Sequence, residues 1–122
     1  MPTAAIVTKT EVTSSYVKKI KFEIVSSDGG VATATTNEAY SGELVRAIFI
    51  PGSAALSPTN LFDIEILDDD NHDILVGQGA NLSNAATTTV VSSMGCVAIS
   101  QLNLSASGMG DANGATVIIY IR

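Results

Sequence analysis

The chain has no tryptophan, one cysteine and one histidine in 122 residues, and each scarcity removes a class of function. A single cysteine, Cys96, forms no internal disulfide, so the fold does not depend on an oxidising compartment. With apolar Val97 after it and no basic neighbour, it reads as a small apolar filler. Any Ser-His-Asp or Cys-His chemistry must use His72. That residue sits between Asn71 and Asp73 and reads as a solvated turn residue. One His and one distant Cys also leave zinc short of ligands. Without tryptophan, and with aromatics at only 5%, the flat apolar faces that line sugar clefts are missing.

Charge is scarce as well. Only 15% of residues are charged, against about 25% in ordinary globular chains. Twelve Asp and Glu face six Lys and Arg, for a net charge of −6. The densest cationic group, Lys18, Lys19 and Lys21, is followed at once by Glu23. Phosphate neutralisation on nucleic acid and attraction to an anionic membrane are both excluded as the basis of function. No apolar run approaches the roughly 20 residues of a membrane helix. The opening Met1 to Thr8 lacks a basic stretch followed by a long apolar one, so synthesis without export is expected.

What is present is a succession of short apolar segments separated by turn residues, the pattern of an all-β chain. Tyr16 to Val25 alternates, with Ile20, Phe22 and Ile24 on one face and Lys19, Lys21 and Glu23 on the other. Further strands are expected over Val31 to Thr36, Glu43 to Ile50 (buried, ended by Pro51-Gly52), Phe62 to Leu67, Asp73 to Val76, Thr87 to Met94, Ile99 to Ala106 and Ala115 to Arg122. Asp28-Gly29 reads as a tight hairpin turn. The last strand is apolar on both faces, Val117, Ile119 and Ile121 against Ile118 and Tyr120, and is expected to be covered on both. About eight strands of this spacing predict an antiparallel β-sandwich or jelly-roll-like fold. The length suits one domain over 16–122, preceded by a Thr/Ser-rich segment over 1–15 read as an arm or edge segment.

The acidic run Asp68-Asp69-Asp70-Asn71-His72-Asp73 invites a calcium reading. Asp69, Asn71 and Asp73 have the alternate spacing of an EF-hand start, but Ile74 stands where the glycine is needed and Ala80 where the bidentate Glu should be. A looser cation site built from Asp68, Asp69, Asp70 and Asp73 competes with a hydrophilic turn whose carboxylates accept local backbone hydrogen bonds. Glu43, Asp63 and Glu65 are glycosidase candidates by residue type alone. Gly77-Gln78-Gly79 and Gly108-Met109-Gly110 lack the remainder of a phosphate-binding fingerprint. No paired catalytic constellation emerges, and a non-enzymatic protein without a cofactor is expected.

A chain this poor in charge has more apolar surface than one small core absorbs, and large exposed apolar patches are rare on monomers. The segments Tyr40-Ser41-Gly42-Glu43-Leu44-Val45-Arg46 and Pro58-Thr59-Asn60-Leu61-Phe62-Asp63-Ile64-Glu65-Ile66-Leu67-Asp68, then Asp73-Ile74-Leu75, Gly77-Gln78-Gly79-Ala80-Asn81-Leu82 and the ending Gly114 to Arg122, resemble a group of small tailed-bacteriophage virion proteins. The resemblance spans roughly residues 40–122. It implies a virion component assembled in the host cytoplasm, a capsid cement or decoration protein that binds the major capsid protein or another virion protein as an oligomer, with a trimer favoured. Thr3, Ile6 and Val7 of the arm and Ile118 and Tyr120 of the last strand are the expected contact residues. The alternatives are another virion component (head fibre base, tail or connector-associated protein) and a carbohydrate- or cation-binding β-sandwich module.

Overall fold

The computed structural model describes residues 4–122, which form an antiparallel β-sandwich. Its strands are β1 (Ile6–Ser14), β2 (Val17–Val25), β3 (Ala32–Thr35), β4 (Tyr40–Pro51), β5 (Asp63–Leu67), β6 (Thr88–Val91), β7 (Cys96–Ser100), β8 (Asn103–Ser107) and β9 (Gly114–Ile121), with one 3₁₀ turn over Ala54–Leu56. The larger sheet runs β1-β2-β9-β4-β6, with β7 on the other half of the β4 edge, and the smaller runs β3-β8-β5.

Period-two patterning makes the core. Ile20, Phe22 and Ile24 of β2, Val117, Ile119 and Ile121 of β9, and Ala47 and Phe49 of β4 point inward from the larger sheet. Ile64 and Ile66 of β5 and Leu104 and Ala106 of β8 meet them from the smaller. All three Phe residues are in this layer, and each fully buried large side chain contributes roughly 1.5–3 kcal/mol. The pairing β2-β9-β4 sets Phe22 beside Val117 and Val117 beside Phe49, so the largest side chains stack across the sheet centre.

The segment expected as an arm or edge segment is, from Ile6 onward, the edge strand β1. It pairs with β2 over its whole length, from Ile6 opposite Val25 to Ser14 opposite Val17. A division at residue 15 therefore falls in the turn of the first hairpin and does not separate an arm from a domain. Val7 packs against the core, which a loose arm does not do. Thr3 lies outside the described residues.

Other departures have local causes. The alternation expected over Ile99 to Ala106 holds in burial, with Ser100, Leu102, Leu104 and Ala106 inward. The chain passes from the larger sheet to the smaller at Gln101 and Leu102, however, so two strands, β7 and β8, form in place of one. Asp73 to Val76 makes no strand. Asp73 forms a single bridge to Leu67, and the chain from there to Leu82 lies along β5 as an irregular strap. Ser26 to Val31 carries the chain from the larger sheet to the smaller, so it joins layers and is not a tight hairpin. Gly30, and not Gly29, supplies the positive φ there, 79°.

Candidate functional site

The acidic run is a turn built by its own carboxylates. Asp68 accepts from the Asp70 and His72 amides, both at 2.9 Å. Asp73 accepts from the amides of Leu75 at 3.0 Å, Gly77 at 2.9 Å and Ile66 at 3.3 Å. Among the described residues, no three His, Cys, Asp or Glu side chains group as a metal site. His72 is exposed, its Nδ1 3.9 Å from Asp68 Oδ1. A carboxylate that stabilises a turn through backbone donors has little left for a cation. Millimolar calcium is expected to leave the melting temperature unchanged, and Asp69→Ala to change stability by less than about 0.5 kcal/mol. A calcium-dependent rise in melting temperature that Asp69→Ala abolishes would refute this reading of the turn.

Asp63 and Glu65 stand two apart on the outer face of the smaller sheet, where with Asp73 and Ser107 they line an open cleft of about 230 Å³. Asp63 accepts from the Asn81 amide at 2.8 Å. Glu43 is remote from them, its backbone paired with Arg122 at the end of β9. The structure thus does not bring the three acids into one site. Cys96, read from the sequence as a small apolar filler, is exposed on β7, where it lines a second depression with Asp68, Asp69, Asp70 and Ser100.

The feature that distinguishes the surface is the outer face of the larger sheet. Cross-strand pairing aligns Lys21, Ile118, Ile48 and Thr89 in one row, and Val12, Lys19, Tyr120, Arg46 and Val91 in the next. Ile118, Ile48 and Tyr120 are half-buried, whereas Val91 is 73% exposed. Arg46 lies over the Tyr120 ring, 5.6 Å from its centre, a cation–π contact worth about 0.5–1 kcal/mol at an exposed site. Towards the other end of the sheet the face continues into an apolar groove of about 290 Å³ lined by Ile6, Val25, Ile50 and Leu56. The expected contact residues Ile6, Ile118 and Tyr120 thus lie on one face, while Val7 points to the other side of the sheet.

Charge is divided between the two layers. No Lys or Arg occurs between Arg46 and Arg122, so the smaller sheet and its loops carry acids alone. Lys19 and Lys21 flank the apolar strip on β2 and Arg46 lies within it, between Tyr120 and Val91, with Lys21 paired to Glu23 at 3.0 Å. Sequence reasoning missed Arg46, Ile48 and Ile50 as surface residues because Glu43 to Ile50 looked buried throughout. The bulge between Leu44 and Arg46 resets the alternation and turns those three outward.

No family model and no curated protein matches this chain. Solved structures give weak likenesses. A family 35 carbohydrate binding module from Clostridium thermocellum is 7% identical, with 99% of this chain and 89% of that one covered and a TM-score of 0.41. A module of Cellvibrio mixtus lichenase 5A, solved with cellotriose, is 12% identical over 100% and 98%, with a TM-score of 0.39. The enzymatically active domain of bacteriophage CBA120 tailspike protein 4 is 14% identical over 96% and 19%, with a TM-score of 0.33. Against a carbohydrate-binding module described as promiscuous in specificity, this chain spans 56% of the other's length. At these scores and identities the likenesses carry no argument about what this chain does.

Proposed function

We propose that this chain is a non-enzymatic structural subunit that docks on other protein through the outer face of its larger sheet, as a capsid cement or decoration protein of a tailed bacteriophage. The observation that carries the docking reading is the apolar strip of Ile48, Ile118 and Tyr120, with Arg46 stacked on Tyr120 between it and the exposed Val91, continuous with the groove at Ile6, Ile50 and Leu56. Apolar patches of this kind mark interaction surfaces, and many copies give avidity from modest contacts. The virion setting rests on the resemblance of residues 40–122. The major capsid protein is the proposed partner, and a homo-oligomer the proposed form.

The test is the copy number of the chain in purified particles of the phage that encodes it, combined with the double variant Ile48→Glu/Ile118→Glu. Both residues are only half-buried but are direct cross-strand partners, so the two carboxylates repel and the variant is expected to fold with a loss of about 2–3 kcal/mol, and to be absent from the particles. Hundreds of copies support decoration, whereas about a dozen or a tail-length multiple moves the chain to a connector or tail. Absence of the wild-type chain from the particles overturns the virion setting.

A second reading has its own observation. The cleft with Asp63, Glu65, Asp73 and Ser107 presents carboxylate and hydroxyl groups of the kind that bind sugar hydroxyls, without an aromatic platform. Affinity electrophoresis against a panel of plant and bacterial polysaccharides decides it: retardation abolished by Glu65→Gln favours a carbohydrate-binding module, and no retardation removes that reading.

A further inference from the structure

We infer that two copies of this chain join through β1, antiparallel about a twofold axis at Thr10, so that the larger sheet runs on from one copy into the next. The inference rests on the assembly reading and names one of its contacts. It begins with the sheet edges, since an unpaired edge is a template for another strand.

Among the described residues three of the four edges are blunted. The β5 edge is covered by the strap, with Ile64 N–H donating to Gly79 O at 2.7 Å and Ile74 N–H to Ile66 O at 2.8 Å. β3 has only four residues. On β4 the far edge is shared by the short strands β6 and β7, with a register shift between Tyr40 and Gly42. β1 alone is long and regular: nine residues paired to β2 without a bulge. It contains no proline, and no other described strand pairs with its outer edge.

The sequence of β1 is complementary to itself in one antiparallel register. Centred on Thr10, the pairing sets Lys9 opposite the second copy's Glu11, Glu11 opposite its Lys9, and Thr8 opposite its Val12. Direct cross-strand partners lie about 4.5–5.5 Å apart at Cβ, so two opposite-charge pairs form at once, on the sheet side that faces β3. A shift by one residue in either direction loses both pairs. Within each copy Lys9 Nζ donates to Thr35 O at 2.7 Å and to Asn37 Oδ1 at 3.3 Å, and the Glu11 carboxylate accepts from the Asn37 and Glu38 amides and the Tyr40 hydroxyl. These bonds are kept, so the contribution across the axis is the Coulomb attraction between held opposite charges, and the new hydrogen bonds are those of the two backbones. The second copy is favoured over an unrelated strand because this charge order is its own complement, and an isologous contact closes by itself.

The experiment is solution mass by light scattering over a dilution series, read together with hydrogen exchange of the β1 amides. The expected result is twice the monomer mass or an even multiple, with the β1 amides that point away from β2 protected and losing that protection on dilution. Thr10→Asp places two carboxylates across the axis, while its exposed site opposite Lys21 keeps the monomer folded. Lys9→Glu turns two attractions into two repulsions. Each is expected to weaken self-association roughly tenfold or more, with the melting temperature of each variant recorded to show that it folds. A monomer at all concentrations, or an oligomer whose outward β1 amides exchange freely, overturns the proposal. In the second case Ile48→Glu/Ile118→Glu dissociates the oligomer and the outer-face reading stands. Under the present proposal that double variant leaves the pair intact.

Discussion

Gly79→Ala is expected to lower stability by about 3 kcal/mol or more, out of a total of roughly 5–15 kcal/mol for a domain of this size. The buried Gly79 lies on β5 so closely that an added Cβ would fall against the Ile64 carbonyl, with Leu75 Cδ1 at 3.1 Å behind it. The obstacle is backbone, so no rotamer change relieves it. The strap must lift, and with it go the bond from Ile64 N–H to Gly79 O and the neighbouring bonds at Ile74 and Leu82. Leu75 and Leu82, both buried by the strap's approach, lose part of their cover, and the β5 edge opens to other chains. Gly77→Ala is the internal comparison. Gly77 has φ 79° and open space around its missing Cβ, so only backbone strain opposes the change, at about 1 kcal/mol. Urea denaturation of both variants, with an aggregation assay, tests the ranking. Equal stabilities would show that the strap is not held by close approach at Gly79.

The contrast between these two glycines shows what the sequence discloses. Gly77-Gln78-Gly79 announces a break in regular structure, but nothing local says which glycine is required by a distant carbonyl. Alternation disclosed Ile20, Phe22 and Ile24, and Ile64 and Ile66, because burial on one face of a strand imprints a period of two directly. It failed at β4, where a bulge changes the phase in mid-strand, and it could not show that the alternating run from Ile99 to Ala106 is shared between two sheets, β7 on one and β8 on the other. Sheet order was not legible at all. β9 sits between β2 and β4, and the chain crosses between layers at most of its turns, a consequence of long-range pairing that no short window contains. The apolar character of Ile118 and Tyr120 was visible, but its meaning came only when Ile48, Arg46 and Val91 were found in the same rows.

Glu11 is the clearest case of a residue without a local signal. It lies on β1, yet its carboxylate accepts the Tyr40 hydroxyl at 2.6 Å and the Asn37 and Glu38 amides, clamping the turn between β3 and β4 to the edge of the larger sheet. Burial alone would raise its pKa. The hydrogen bonds from Tyr40, Asn37 and Glu38, with the charge of Lys9, outweigh that and hold it below the ordinary glutamate value. Tyr40 moves the other way: burial and the adjoining Glu11 carboxylate hold its hydroxyl protonated well above the usual tyrosine range. Glu11→Ala leaves the buried Tyr40 hydroxyl without its acceptor and is expected to cost about 2–3 kcal/mol. Glu11→Gln keeps the shape but turns an NH₂ towards a donor, and is expected to cost about 1–2 kcal/mol.

The two shifts also set a pH dependence. A carboxyl with a depressed folded pKa contributes stability that is full above its unfolded value, near 4.5, and is lost as pH falls through the lower folded value. A tyrosine with a raised folded pKa contributes stability that is full below its unfolded value, near 10, and is lost as pH rises through the folded one. The clamp is therefore at full strength from about pH 5 to 9. Urea midpoints at pH 7 and near pH 3 are expected to fall less in Glu11→Gln than in the wild type, because the variant has no carboxyl there to titrate. Tyr40→Phe is expected to return the Glu11 carboxyl towards its ordinary pKa. In a double-mutant cycle with Glu11→Gln the two substitutions should cost less together than the sum of their separate effects. Additive losses would mean that the 2.6 Å contact contributes nothing to the clamp, and that the turn is held to β1 by the Asn37 and Glu38 amides and by Lys9 on Thr35 O.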